Sequence, residues 1–328
     1  MASAFRAAWA SYSVKEESHV FGTHGVELVG FLAFVAIATW LDLYVLHKDD
    51  HEIGLKEAAW TSVAWVAIAL AFSGYVYWQY GAELWMQYLA GYTLEKALSV
   101  DNIFVIAMIF EFFGITGGLQ HRALAWGIIG AIIMRAILIF LGVGLVERFT
   151  WLLPIFGIFL IVTALKMLKG GGHEGEIAES PIYKWTAKVI PIHPGFDGNQ
   201  IITTQNGRRM LTLLGMSIVM VEATDLLFAL DSIPAVMGVS TDPFIILTSN
   251  VFAILGLRAL YFLLAGIIHK FRFLKIGLAV VLAFIGAKML ATPFGHHLPV
   301  GVSLGVVLSV IMISVLASLM IPERRRVE

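Results

Sequence analysis

The sequence predicts an all-α, polytopic transmembrane helical bundle of about nine spans, with an inverted repeat of three-helix units. Three observations carry that expectation. First, 59% of the 328 residues are hydrophobic, only 14% are charged and mean hydropathy is +0.85, whereas about a quarter of a soluble domain is charged. Second, nine segments are apolar over the roughly 20 residues that a crossing needs. Third, one acid-bearing motif occurs twice in matching surroundings. The composition argues against a soluble enzyme or a disordered chain. A net charge of −1 offers no field to recruit a polyanion, so no nucleic-acid partner is expected. With no cysteine, disulfides, thiolate metal sites and thiol catalysis are excluded.

The elements follow in order. Residues 1–25 are mixed and polar, without the compact apolar core of a cleavable signal, and form an extracytoplasmic segment. Two accessory spans, 26–46 and 58–80, lead into a first three-span unit at 84–113, 123–146 and 150–168. Residues 169–210 are rich in Gly, Pro and polar side chains and read as a cytoplasmic loop dividing the chain. The second unit is 211–237, 244–268 and 272–292, followed by a last span at 300–321 and a basic tail at 322–328. With the N-terminus outside, fifteen of the 22 Lys and Arg fall on the cytoplasmic side, three outside and four within spans. Cytoplasmic loops retain Lys and Arg, so this asymmetry supports an odd span number with the C-terminus inside.

The two units match at three places. The third span holds Glu95, Lys96, Asp101, Asn102 and Ile103, and the sixth holds Asp225, Asp231, Ser232 and Ile233 with the same acid-to-Asp interval. The next spans carry one arginine each, Arg135 and Arg258, and the next end alike at Lys166-Met-Leu and Lys288-Met-Leu. An odd number of spans per unit makes the copies enter the membrane from opposite sides. Secondary transporters are commonly built this way and bind substrate near the midplane, where the copies meet.

Five carboxylates lie within the two long spans: Glu95, Asp101, Glu222, Asp225 and Asp231. A charge facing lipid at mid-depth costs about 2.5–3.5 kcal/mol even on insertion scales, so these acids are expected to face protein or water. Glu222 and Asp225 share a helix face. Asp231 follows Asp225 by six residues, about 600° of rotation, and points about 120° away in a straight helix. Pro234 is therefore expected to break the helix near Asp231, freeing carbonyls as ligands. The bland alternative is salt bridging, with Lys96, Arg135, Arg258 and Lys288 neutralising four acids.

All ten histidines fall in loops or termini. The site is then all oxygen apart from thioethers, which suits Mg²⁺, Ca²⁺ or Mn²⁺ rather than Zn²⁺ or Cu. Asn102, Ser232 and Asn250 are candidates to complete the ligand set. Met220 is a soft ligand that would favour Mn²⁺, though Met in an apolar helix usually packs. Asp42 near the inner end of the first span and the pair His296-His297 in an outer loop are weaker candidates. No nucleotide-binding motif, His-Glu-x-x-His motif or Gly-x-Gly-Asp motif is present, so no enzyme is expected.

The stretch from Glu95 to Asn102, with Glu222-Ala-Thr-Asp225 running on to Asp231-Ser232-Ile233-Pro234, resembles the TerC family of integral membrane proteins across roughly residues 25–321. The resemblance implies a divalent-cation transporter, a manganese exporter, in a bacterial plasma membrane. It also implies that Glu95, Asp101, Glu222, Asp225 and Asp231 handle the metal. Proton exchange is the economical drive, so protons join the cation and the bilayer as expected partners. The family takes its name from tellurite resistance, but an acidic site repels an oxyanion, and direct tellurite transport is not expected. The alternative is a membrane-protein assembly or stress-response factor whose intramembrane acids are structural.

Overall fold

The computed structural model describes residues 25–41, 54–149, 151–169, 177, 180–205, 207–264, 271, 273–294 and 298–321. Asp42 and His296-His297 lie outside these residues, as do both terminal segments and most of 170–179.

Among the described residues the chain is almost entirely helical. Helix α1 spans Gly25–Leu41 and α2 spans Leu55–Phe113. Helix α2 has 59 residues, and Gly81 interrupts it with φ 84° and ψ −177°, a left-handed φ that only glycine adopts cheaply. The interruption falls between the expected spans 58–80 and 84–113. Helix α2 ends at Gly114, whose φ of 68° lets Ile115 N–H reach back to Phe110 O at 2.8 Å. Helices α3 (Gly118–Arg148) and α4 (Leu152–Leu168) complete the first half.

The connection read as a plain loop has structure of its own. It holds α5 (Pro181–Val189), started by Ser180 accepting from Tyr183 N–H with Pro181 next in line. An antiparallel hairpin follows, β1 (Ile202–Gln205) paired with β2 (Arg208–Leu211). The Asn206-Gly207 dipeptide is the sequence signal for such a hairpin, and Gly207 takes the φ of 75° that the turn requires.

Helix α6 (Leu213–Met237) begins at Thr212, whose hydroxyl accepts from Gly215 N–H at 3.1 Å. Pro234 does not break it: the helix runs unbroken to Met237. Proline removes only the hydrogen bond that its own nitrogen would make to Leu230 O, and the helix continues across that single loss. Helix α7 (Pro243–Leu255) starts at Asp242, which accepts from Phe244 N–H at 2.8 Å and Ile245 N–H at 3.1 Å. A break at Gly256 turns the chain by 42° into α8 (Leu257–Leu264), so the seventh expected span is a bent pair. Helices α9 (Leu274–Ala291) and α10 (Val300–Met320) close the bundle.

Every residue of α7 is buried. It is the axial helix, wrapped mainly by α2 and α3, with an aromatic cluster of Phe31, Phe72 and Phe252 sealing one side. Helix α3 shows the opposite pattern. Ile133, Ile137, Leu141 and Leu145 form an exposed stripe at four-residue spacing while Ala131, Arg135 and Ile139 are buried. An apolar stripe outside and a charge inside is stable only in lipid.

By length and hydropathy, four described helices qualify as crossings (α3, α6, α9 and α10), or five when α7 and α8 count as one. Helices α1 and α4 are apolar but have only 17 residues each. The expected nine crossings are thus not reached by this criterion among the described residues.

Candidate functional site

The polar centre of the bundle forms on four helices. On α2, Glu95 and Asn102 are seven residues apart, and on α6 the same interval separates Asp225 and Ser232. Seven residues turn a helix by about 700°, within 20° of two full turns, so each pair shares one face. The repeated motif thus presents an acid and a small polar group from each helix toward the same place. Asp101 and Asp231 come one residue earlier and fall off that face. Both are half-buried.

Arg135 of α3 ties the centre together and is 1% exposed. Its Nε donates to Asp225 Oδ2 at 3.1 Å and its Nη2 to Asp225 Oδ1 at 2.8 Å, a bidentate pair. Its Nη1 donates to Glu95 Oε1, to Asn250 Oδ1 at 2.9 Å and to Ser232 Oγ at 3.4 Å. Asn250 of α7 returns its amide N–H to Glu95 Oε2 at 3.3 Å. Asn102 donates to Asp225 Oδ1 at 3.4 Å, while its own Oδ1 is buried with no hydrogen-bond partner. Buried polar atoms are nearly always satisfied, and an exception calls for an explanation.

Two carboxylates therefore share one guanidinium in a site where Glu95 is fully buried and Asp225 is 9% exposed. Glu222 adds a third acid on the α3 side. Its carboxyl group rests on the α-carbon of Gly130, where a Cβ would overlap it. Asp231 accepts from Thr163 of α4 at 3.3 Å. Among the described residues no three of these acids lie close enough together to form a ready metal cage.

Of the four basic residues expected to neutralise acids, Arg135 and Lys96 act differently. Arg135 pairs with two of the five acids, Glu95 and Asp225. Lys96 instead donates to Ala253 O at 3.0 Å, next to the break at Gly256. Helix α7 ends there, its last carbonyls lack intrahelical donors, and a cation at a helix C-terminus satisfies both the hydrogen bond and the dipole. Arg258 is buried in α8 at 2% exposure. Met220 is buried against the apolar cluster around Ile103 and Leu214, a packing position. The break at Gly256 and the capping role of Lys96 carry no local signature in the sequence beyond a lone glycine in an apolar run.

Known proteins resemble this chain in sequence. A membrane protein of Myxococcus xanthus, "Uncharacterized membrane protein STKORF319", is 47% identical over 290 residues, covering 88% of this chain and 91% of that protein. The protein of Escherichia coli K12 named "Putative membrane-bound redox modulator Alx" is 42% identical over 295 residues, 87% of this chain and 91% of its own. A Rickettsia felis membrane protein is 42% identical over 292 residues, 88% of this chain and 96% of its own. No solved structure matches. Residues 80–326 match the profile of the integral membrane protein TerC family, taking in every residue of the polar centre. The chain belongs to the TerC family.

Proposed function

We propose that this chain is a secondary transporter that exports a divalent metal cation, with Mn²⁺ as the preferred cargo and protons moving in exchange. One observation carries the reading. Glu95 and Asp225, from matched motifs on α2 and α6, converge on a single buried guanidinium, so the centre holds one more negative charge than positive. A buried charge without a partner is expensive, and a cation relieves it. The orphan oxygen of Asn102 beside Asp225 is a neutral ligand of the right hardness for Mn²⁺, Mg²⁺ or Ca²⁺.

Alternating access needs two units that move against each other. Aligning Lys166 with Lys288 pairs Gly157 with Ala279 and Ala164 with Gly286. All four are buried, and Gly157 and Gly286 face each other across α4 and α9 so closely that neither has room for a Cβ. Small residues at matched positions in both units support the inverted repeat and supply a smooth seam for rocking. Moving a divalent cation out against an inside-negative potential costs about 4.6 kcal/mol per 100 mV, so the flux needs a drive. Uptake of protons by the site carboxylates as metal leaves provides one.

A second reading has an observation in its favour. A closed Arg–carboxylate–amide network is also how a fold enforces one packing arrangement, which fits a membrane-protein assembly or stress-response factor. A redox role such as the name of the Alx relatives indicates for them would have to work without thiols, because this chain has no cysteine. Purified protein in liposomes, assayed metal by metal with an imposed pH gradient, separates the readings. Gradient-driven Mn²⁺ flux supports transport. A tight, monodisperse protein with no flux of any divalent cation supports the structural role.

A further inference from the structure

We infer that Arg135 is a tethered counter-cation that the cargo displaces, and that this competition makes the site select divalent over monovalent ions. The inference rests on the transporter reading above.

The five hydrogen bonds of Arg135 end on oxygens: both of Asp225, one each of Glu95, Asn250 and Ser232. This is the kind of all-oxygen shell that a hard cation takes. The guanidinium thus holds the lone pairs that a metal ion would need. Cargo and guanidinium also repel each other at such range. The two occupy the centre by turns. When the cargo is absent, Arg135 bridges the two carboxylates and offsets one of their two charges, so the protein can reorient without a bare pair of buried charges.

Valence selection follows from the same contest. The tether keeps Arg135 at high effective concentration beside its partners, and its planar fork matches Asp225 two-to-two. A monovalent ion brings the same single charge with no tether, so it loses. A divalent ion brings twice the charge, and the free oxygen of Asn102 adds a ligand that Arg135 leaves unused.

The test is Mn²⁺ binding to purified full-length protein, read by loss of the free-ion paramagnetic resonance signal. Na⁺, K⁺ and bulky choline serve as competitors. Wild type is expected to bind Mn²⁺ with the same modest loss in all three salts, an ionic-strength effect only. Arg135→Ala is expected to bind Mn²⁺ at least tenfold more tightly and to become sensitive to Na⁺ or K⁺ over choline. Guanidinium ion below denaturing concentration should weaken that binding back toward wild type. Arg135→Lys keeps the charge, and so the fold, but an ammonium cannot hold Asp225 and Glu95 together as the fork does. It should bind Mn²⁺ more tightly than wild type. Wild-type binding with unchanged or weaker binding by folded Arg135→Lys overturns the inference alone. Absence of Mn²⁺ binding by wild type and both variants overturns the transporter reading beneath it.

Discussion

The carboxyl group of Glu222 lies directly on the α-carbon of Gly130, one helix away, in the space a β-carbon would fill. Helix α3 therefore gives a bare patch of backbone to an acid of α6. The obstacle to a larger residue is the far end of a flexible side chain, which can swing aside. Gly130→Ala is expected to move Glu222 without unfolding the protein. Thermal unfolding in detergent should shift by no more than the equivalent of about 1 kcal/mol, within the range of tolerated core changes. Metal flux should fall several-fold. Unchanged flux with a displaced Glu222 would remove this acid from the cation path.

The seam between α4 and α9 offers the contrasting case. A Cβ on Gly286 would lie 2.6 Å from Gly157 O, and one on Gly157 would lie 2.8 Å from Gly286 O. Backbone cannot swing aside, so the helices must separate. Gly286→Ala and Gly157→Ala are each expected to destabilise by about 1–3 kcal/mol, the cost of overpacking. Their combined effect should be less than the sum, because the first substitution already opens the seam. Thermal midpoints of the two single variants and the double variant check this.

Lys96 closes the end of α7 by donating to Ala253 O at 3.0 Å. Lys96→Met keeps much of the side-chain volume and removes the donor. A loss of about 1–3 kcal/mol is expected from the unsatisfied carbonyl. Hydrogen exchange should rise first around residues 253–258, where α7 meets α8, ahead of the far ends of α2. Uniform protection in Lys96→Met would show that the break holds without its cap.

Much of this architecture is legible in the sequence because lipid penalises polar groups so strongly. The joint between 58–80 and 84–113 is found at Gly81, and α6 ends at Met237 as the hydropathy indicates. The face-sharing arithmetic also places Asp231 away from Asp225. It carries through to Glu95 with Asn102 and Asp225 with Ser232, which the helix period aligns and the fold brings to Arg135. Three features escaped for physical reasons. Pro234 looks like a helix breaker, but it costs only the bond to Leu230 O, and the packed helix carries on across that loss. The bend at Gly256 is met by Lys96, which is 160 residues away in the chain. The α5–hairpin unit is short and polar, so its signal lies in turn chemistry at Asn206-Gly207 and not in hydropathy.

Asp225 is the acid on which the whole centre depends, through its bidentate pairing with Arg135 and its contact with Asn102. The most direct test is Mn²⁺ flux into liposomes carrying wild type or Asp225→Asn, with a pH gradient imposed and the folded state of each checked by size exclusion. Asparagine keeps the shape and removes the charge. The account predicts gradient-driven flux in wild type and at least a tenfold loss in a folded Asp225→Asn, about 1.4 kcal/mol or more of lost stabilisation. Equal flux in the two proteins, or none of any divalent cation in wild type, would contradict it.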